Sequence, residues 1–254
     1  MDAALILVKY YDAYRQSANC MFNDNNEKKY IDKIKLQFHN RIDGQALNQE
    51  QQRVFLCELI TSANPGLGFD LLKVCRFIGK YWPEIEILGQ ADHSKEHHPE
   101  GNAWEHTMET FRHRKLFDLR LSLGLLLHDS GKPVATSTGG NRYDGHAELG
   151  EIQARRFLER LGFPPSFTQE VCFLVRNHML PAALPRLPLF RTEQIMSSPL
   201  FPLLMELYRC DESSSFKGLD GYYESSATYQ QFLKNKKNPY RTADGKKMDL
   251  SKLK

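Results

Sequence analysis

The run Leu125-Leu126-Leu127 ends in His128-Asp129, an imidazole and a carboxylate side by side at the close of an apolar segment. At helical spacing His128 falls on the face of Leu121 and Leu125 and points inward with them. Asp129 is rotated by about 100° and at a helix end still reaches the same spot. Two more ionisable residues occupy apolar stripes: His178 continues Val171 and Leu174, and Asp211 continues Leu204 and Leu207. A lone core-facing histidine is most often just a hydrogen-bonded core residue. An isolated buried carboxylate, however, costs on the order of several kcal/mol unless paired or bound to a cation. Three helices each bringing such a group, two carboxylates among them, would be satisfied together by one shared divalent cation. Imidazole with carboxylate suits Zn, Mn, Fe, Co or Ni better than Ca.

These side chains need helices to hold them, and the periodicity is almost wholly helical. Asn48 with Gln51 forms a capping pair opening a helix through Val54, Phe55, Leu59 and Ile60, stopped by Asn64-Pro65-Gly66. Leu71, Val74, Cys75 and Ile78 give the next stripe, ending near Trp82-Pro83. Polar residues 89–101 read as a loop, Trp104, Met108 and Phe111 mark a helix, and Asp118 caps the one that runs into Leu125-Leu126-Leu127. Residues 130–145 read as a long loop. A helix then runs from about His146 to Leu161, with Gly162 as its stop. Ser166 with Gln169 opens the following helix, the proline-rich "LPAALPRLPLF" interrupts, and Pro199 starts a helix reaching Asp211. Strand-like alternation is nearly absent, and there is no internal repeat. The expectation is an all-α protein.

Composition bounds the function classes. With 254 residues the chain is long enough for one sizeable domain with a decorated end or for two small domains. No apolar run approaches the roughly 18 residues that span a bilayer. The N-terminus lacks the basic start and cleavage site of a signal peptide, so a cytoplasmic location without membrane association is expected. Five scattered cysteines without CxxC spacing read as core thiols in a reducing compartment. A net charge of +3 is too mild to indicate nucleic acid by itself. The tail from about Lys234 is rich in lysine and reads as a partly disordered or surface-wrapping end, with a basic arm contacting RNA as the sharper alternative. His39, His93 and His113 read as exposed or structural. His97 and His98 lie in the loop ahead of Trp104, and Trp104 and Met108 fit ordinary core.

His106, then His128-Asp129, then a distant Asp211 resembles the H…HD…D signature of the HD superfamily of metal-dependent phosphohydrolases. The stretches "HHPEGNAWEHT", "LLLHDSGKP", "GGNRYDGHAELGEIQARRFLERLGFP" and "VCFLVRNHM" look like the HD domain of bacterial CCA-adding tRNA nucleotidyltransferases, over roughly residues 66–215. The Gly-Gly/Ser loop and Asp-x-Asp pair that CCA addition requires do not appear in residues 1–90. CCA addition is therefore not carried over, and a stand-alone HD domain is expected. The resemblance implies an HD-domain helical bundle over residues 91–215, with an N-terminal helical segment over 1–90 and a basic C-terminal extension over 216–254.

Mapped by motif, the resemblance implies one metal site of His106, His128, Asp129 and Asp211. His146 and His178 match positions that hold a second metal in two-metal relatives, with Asp129 bridging; otherwise they would bind phosphate or donate a proton. The cofactor implied is a divalent transition metal, as one or two ions. Such an ion acidifies water and neutralises phosphate charge, which suits hydrolysis of a small nucleotide-like phosphoester or an RNA end. Lys132 is a candidate phosphate contact or a cap for its helix terminus. Arg142 is a second phosphate-contact candidate. The competing readings are a di-iron oxygenase on the same scaffold and a non-catalytic RNA-binding or regulatory module.

Overall fold

The computed structural model describes residues 47–74, 76–91, 101–135, 143–215, 218–238 and 240–248. Arg142, the histidines 39, 93, 97 and 98, Cys20, Cys75 and residues 1–46 of the expected N-terminal segment lie outside the described residues. Among the described residues the architecture is all-α; an isolated bridge between Arg241 and Lys247 forms no sheet.

Helix α1 (Gln49–Thr61) opens on a capping box: the Asn48 side chain accepts from Gln51 N at 2.9 Å, and the Gln51 side chain accepts from Asn48 N at 3.0 Å. Pro65 does not merely end α1, as the sequence suggests, but begins α2 (Pro65–Val74). A first-turn proline gives up an N–H that has no helical partner, so the same residue closes one helix and opens the next. The short α3 (Phe77–Tyr81) and α4 (Pro83–Glu86) follow. Phe55, Phe69, Phe77 and Trp82 pack with ring centroids 5.0–6.1 Å apart, and Trp82 is fully buried. Phe69 also stacks on Phe111 with centroids 6.0 Å apart, which joins these N-terminal helices to the segment after α5.

Helix α5 (Ala103–Thr110) begins with a second capping box, Asn102 with Glu105. Helix α6 (Leu119–Leu127) is the central one. Asp118 caps it, accepting from Arg120 N at 2.7 Å and Leu121 N at 3.3 Å. Leu121, Leu123, Leu125, Leu126 and Leu127 are fully buried, each worth on the order of 2 kcal/mol of transfer free energy. Helices α7 (His146–Arg160), α8 (Pro165–Asn177) and α11 (Phe201–Ser213) pack around it, with α7 and α8 also packed on each other.

Gly162 stops α7 as expected: its φ of +71° lets Gly162 N reach Glu159 O at 2.9 Å and Phe163 N reach Leu158 O at 3.0 Å. Prolines again shift the expected starts. Helix α8 begins at Pro165 with no side-chain cap from Ser166, and α11 begins at Phe201 rather than Pro199. The segment "LPAALPRLPLF" is not a plain interruption. It folds as the short α9 (Leu180–Ala183), a 3₁₀ turn at Leu184–Arg186 and the start of α10 (Leu189–Met196).

The expected basic extension contains α12 (Asp220–Lys237), which packs on α9 and α11. Phe232 is buried there, and Ser225 Oγ donates to Pro181 O at 2.6 Å. Lys234, Lys236 and Lys237 occupy its last turn, where cations suit the negative end of the helix dipole. Cys172 and Cys210 are buried free thiols and Cys57 is half-buried.

Candidate metal centre

Five helices, α5, α6, α7, α8 and α11, bring side chains to one point. His106 is held mid-helix on the inner side of α5, and His128 stands where α6 ends. Gly131 then lets the chain pass tightly under α7: a Cβ there would lie 1.9 Å from His146 O and 2.4 Å from Gly150 N. His146 is the first residue of α7, His178 follows the last residue of α8, and Asp211 lies in the last turn of α11. His106, His128, Asp129 and His178 are each about 1% exposed.

Three of the imidazoles are oriented in one way. Nδ1 of His128 donates to Leu125 O, Nδ1 of His146 to Tyr143 O and Nδ1 of His178 to Val175 O, each at 2.8 Å. A carbonyl can only accept, so each Nδ1 carries a proton and each ring points its Nε2 inward. A backbone anchor of this kind is how metal-ligating histidines are commonly set. His106 Nδ1 instead meets Ser214 Oγ at 3.2 Å.

The inward atoms form two adjoining groups, His106–His128–Asp211 and Asp129–His146–His178; within each, one ligand atom per residue lies within 4.8 Å of the others. His106 Nε2 is 2.8 Å from Asp211 Oδ1, and His128 Nε2 is 3.9 Å from that oxygen. Asp129 stands between the groups. Its Oδ2 is 3.4 Å from His128 Nε2, and its Oδ1 is 3.8 Å from His146 Nε2 and 4.0 Å from His178 Nε2.

Electrostatics favours a cation here. His128 Nε2 is buried without a hydrogen-bond partner. His146 Nε2 and His178 Nε2 face each other at 3.1 Å, two lone pairs that only a proton or a metal ion can reconcile. Burial holds His128 below the ordinary histidine range and lowers His178 to about 3, so both are neutral and fit to ligate at neutral pH. Burial alone would raise the Asp211 carboxyl, but the hydrogen bond that it accepts from His106 Nε2 holds it well below the usual carboxylate range. Neutral imidazoles around ionised carboxylate are a donor set for a divalent transition metal. The residues present fit the ion.

Residues 95–206 match the family model described as HD domain. The chain contains an HD domain. Asp211 lies just beyond the matched span, on the helix that the span enters. The chain is 34% identical over 139 residues to the CC-adding tRNA nucleotidyltransferase of Thermus thermophilus, covering 52% of this chain and 32% of that one. It is 32% identical over 117 residues to the multifunctional CCA protein of Halorhodospira halophila, covering 45% and 28%. With the multifunctional CCA protein of Aromatoleum aromaticum it shares 27% over 194 residues, covering 72% and 46%. The chain thus spans less than half the length of these relatives. Among the described residues no helix is long and apolar enough to cross a membrane.

In this HD domain the two groups open into one cleft of about 190 Å³. Lys132, Met179, Tyr208, Glu212 and Ser215 share its wall. Lys132 Nζ lies 2.7 Å from Asp129 Oδ2 and so holds the carboxylate that both groups approach. Burial, then the charges of Glu212 and Asp211, push the Tyr208 phenol well above its ordinary range, so it stays protonated. Sequence reasoning missed Tyr208, Glu212 and Ser214. Tyr208 and Ser214 lie three residues before and after Asp211, on the same helical face, and that spacing was the available signal. His113, by contrast, sits away from the cleft, with Nε2 3.5 Å from Glu109.

Proposed function

We propose that this domain is a metal-dependent phosphohydrolase acting on a nucleotide or RNA-end phosphoester. The observation that carries the reading is the pair of His/Asp groups sharing Asp129 at one open cleft, with His128 Nε2 left unpartnered in the interior. The first group, His106, His128 and Asp211 with Asp129 beside it, would hold the ion; His146 and His178 with the other oxygen of Asp129 would hold a second. A divalent ion bound there supplies a Lewis acid that lowers the pKa of water and offsets charge on phosphoryl oxygens.

The side chains of the chain itself do the positioning. The three backbone-anchored imidazoles keep their Nε2 atoms in place without rearrangement, which is preorganisation rather than induced fit. Lys132, fixed against Asp129, puts a cation at the cleft wall where a phosphate would lie. His146, the most exposed of the four imidazoles at 12%, is placed to pass a proton to a leaving oxygen when only the first group is filled. The relative named a CC-adding tRNA nucleotidyltransferase supports an RNA end as the substrate class.

Chelator-free protein supplied with Mn²⁺, Co²⁺ or Zn²⁺ should hydrolyse at least one of a generic phosphodiester, a phosphomonoester and 2′,3′-cyclic AMP. Full activity in His128→Ala or Asp129→Ala would refute the reading. Iron with dioxygen consumption and no phosphoester turnover would replace it with oxygenase chemistry.

A further inference from the structure

The C-terminal part of the chain concentrates its positive charge. Residues 234–247 hold five lysines and one arginine against the single Asp244, a surplus larger than the net +3 of the whole chain, so the rest of the sequence is net negative. Lys234, Lys236, Lys237, Arg241, Lys246 and Lys247 are all exposed. Among the described residues the one ion pair in this stretch joins Lys246 Nζ to Asp244 at 3.0 Å. The dipole of α12 accounts for the three lysines of its last turn. It does not account for Arg241, Lys246 and Lys247. These lie beyond the helix in a turn closed by Thr242 N to Lys246 O and by Met248 N to Tyr240 O, each at 2.9 Å.

The buried Asn235 fastens that turn to α12: its Nδ2 donates to Ala243 O at 3.2 Å, and its Oδ1 accepts from Gln231 Nε2 at 2.9 Å. Ordered contacts thus bring like charges together, which is unfavourable unless a polyanion offsets the repulsion. Tyr240, 66% exposed in the same turn, adds an aromatic face of the kind on which bases stack. The other end of α12 stands at the cleft. A Cβ at Gly221 would lie 2.8 Å from Tyr208 Oη and 3.1 Å from a Glu212 carboxylate oxygen, and both residues line the cleft. From Gly221 to Lys234 and Lys237 the helix rises roughly 20–24 Å at about 1.5 Å per residue.

We infer that the end of α12 and its turn form a binding surface for the sugar-phosphate backbone of an RNA strand whose terminus lies in the cleft. The surface itself needs no metal; the placement of the terminus rests on the function proposed above. The separation corresponds to about six or seven nucleotides stacked at about 3.4 Å each. A mononucleotide held in a cleft of about 190 Å³ does not reach that far, so the substrate that uses both features is the end of an oligonucleotide.

The test is fluorescence anisotropy of a single-stranded, 3′-phosphorylated RNA of about twelve nucleotides, long enough to span the separation. It is titrated with the full chain in chelator over a series of salt concentrations. Parent affinity is expected to fall as salt rises. Lys234→Ala/Lys237→Ala/Lys247→Ala is expected to bind about 10-fold or more weakly near about 0.1 M salt, with a log–log salt slope shallower by about 2, since each phosphate contact on a single strand contributes about 0.7. Lys234→Arg/Lys237→Arg/Lys247→Arg is expected to keep the parent affinity, and a dinucleotide is expected not to compete. Parent-like affinity and slope in the alanine variant, or a dinucleotide that binds as tightly as the longer RNA, overturns the inference and leaves the metal site standing. A parent that does not bind the RNA also overturns it, and binding to phosphatidylserine vesicles instead would make the surface a membrane contact. RNA binding with the expected losses in a chain that takes up no metal ion keeps the surface and removes the phosphohydrolase reading.

Discussion

Replacing His128 by leucine separates what this residue does for the fold from what it does for a metal ion. His128 is 1% exposed, its Nδ1 donates to Leu125 O at 2.8 Å, and its Nε2 has no partner. In metal-free protein the unpartnered nitrogen costs about 1–3 kcal/mol, while the Nδ1 hydrogen bond returns about 1 kcal/mol. Leucine is close in volume, removes both polar atoms and extends the buried run Leu125-Leu126-Leu127. The net effect is about 0–2 kcal/mol in favour of leucine, so in chelator His128→Leu should melt no lower than the parent and at most about 8 °C above it, at roughly 2–4 °C per kcal/mol for a domain of this size. Adding Mn²⁺ to a hundred times its dissociation constant stabilises a single-site protein by about 2.7 kcal/mol. The parent should therefore gain about 5–10 °C, and His128→Leu should gain little. Differential scanning fluorimetry at matched protein concentration reads both numbers. A variant that keeps the full metal-induced gain removes His128 from the ligand set. A metal-free variant that melts far below the parent shows that Nε2 has a partner and that the electrostatic argument is wrong.

Asp118→Ala should destabilise the domain by about 1 kcal/mol at neutral pH through loss of the α6 cap, measured by urea unfolding. The hydrogen bond from Arg120 is the main cause holding the Asp118 carboxyl below its ordinary value. Its contribution is therefore complete above the unfolded value near about 4 and is lost as pH falls through the lower folded value. The gap between parent and variant should accordingly close in strong acid; a gap that widens there would contradict the assignment. Lys132→Gln should leave metal uptake intact yet lower kcat/KM for a phosphoester by about tenfold or more, the scale of one lost charge-assisted hydrogen bond. Unchanged steady-state kinetics would move Lys132 out of substrate binding.

The helices were legible because caps and apolar spacing agree locally. Asn48 with Gln51, Asp118 and Gly162 each mark a terminus where the structure has one. Prolines were harder, since Pro65 and Pro165 serve the first turn of a helix as readily as they end the one before. His128, His178 and Asp211 were visible as ionisable interruptions of apolar stripes, and the resemblance to HD proteins added His106 and His146. The partition was not visible: spacing along the chain gives no distance, so the Oδ1 and Oδ2 of Asp129 could not be assigned to different groups. Ser214 was hidden for another reason. A serine at the end of a helix ordinarily bonds its own backbone, as Ser214 does to Asp211 O, and only the approach of α5 gives its hydroxyl a second use.

The most direct measurement of the central claim is the transition-metal content per chain, by mass spectrometry of protein purified without chelator and of protein reloaded after stripping. The geometry predicts one or two ions per chain in the parent, near none in the His128→Ala/Asp129→Ala double variant, and an intermediate loss in His146→Ala. A parent chain with no bound or rebindable ion, or a double variant that keeps the parent's complement, would contradict the assignment of these residues as a metal centre.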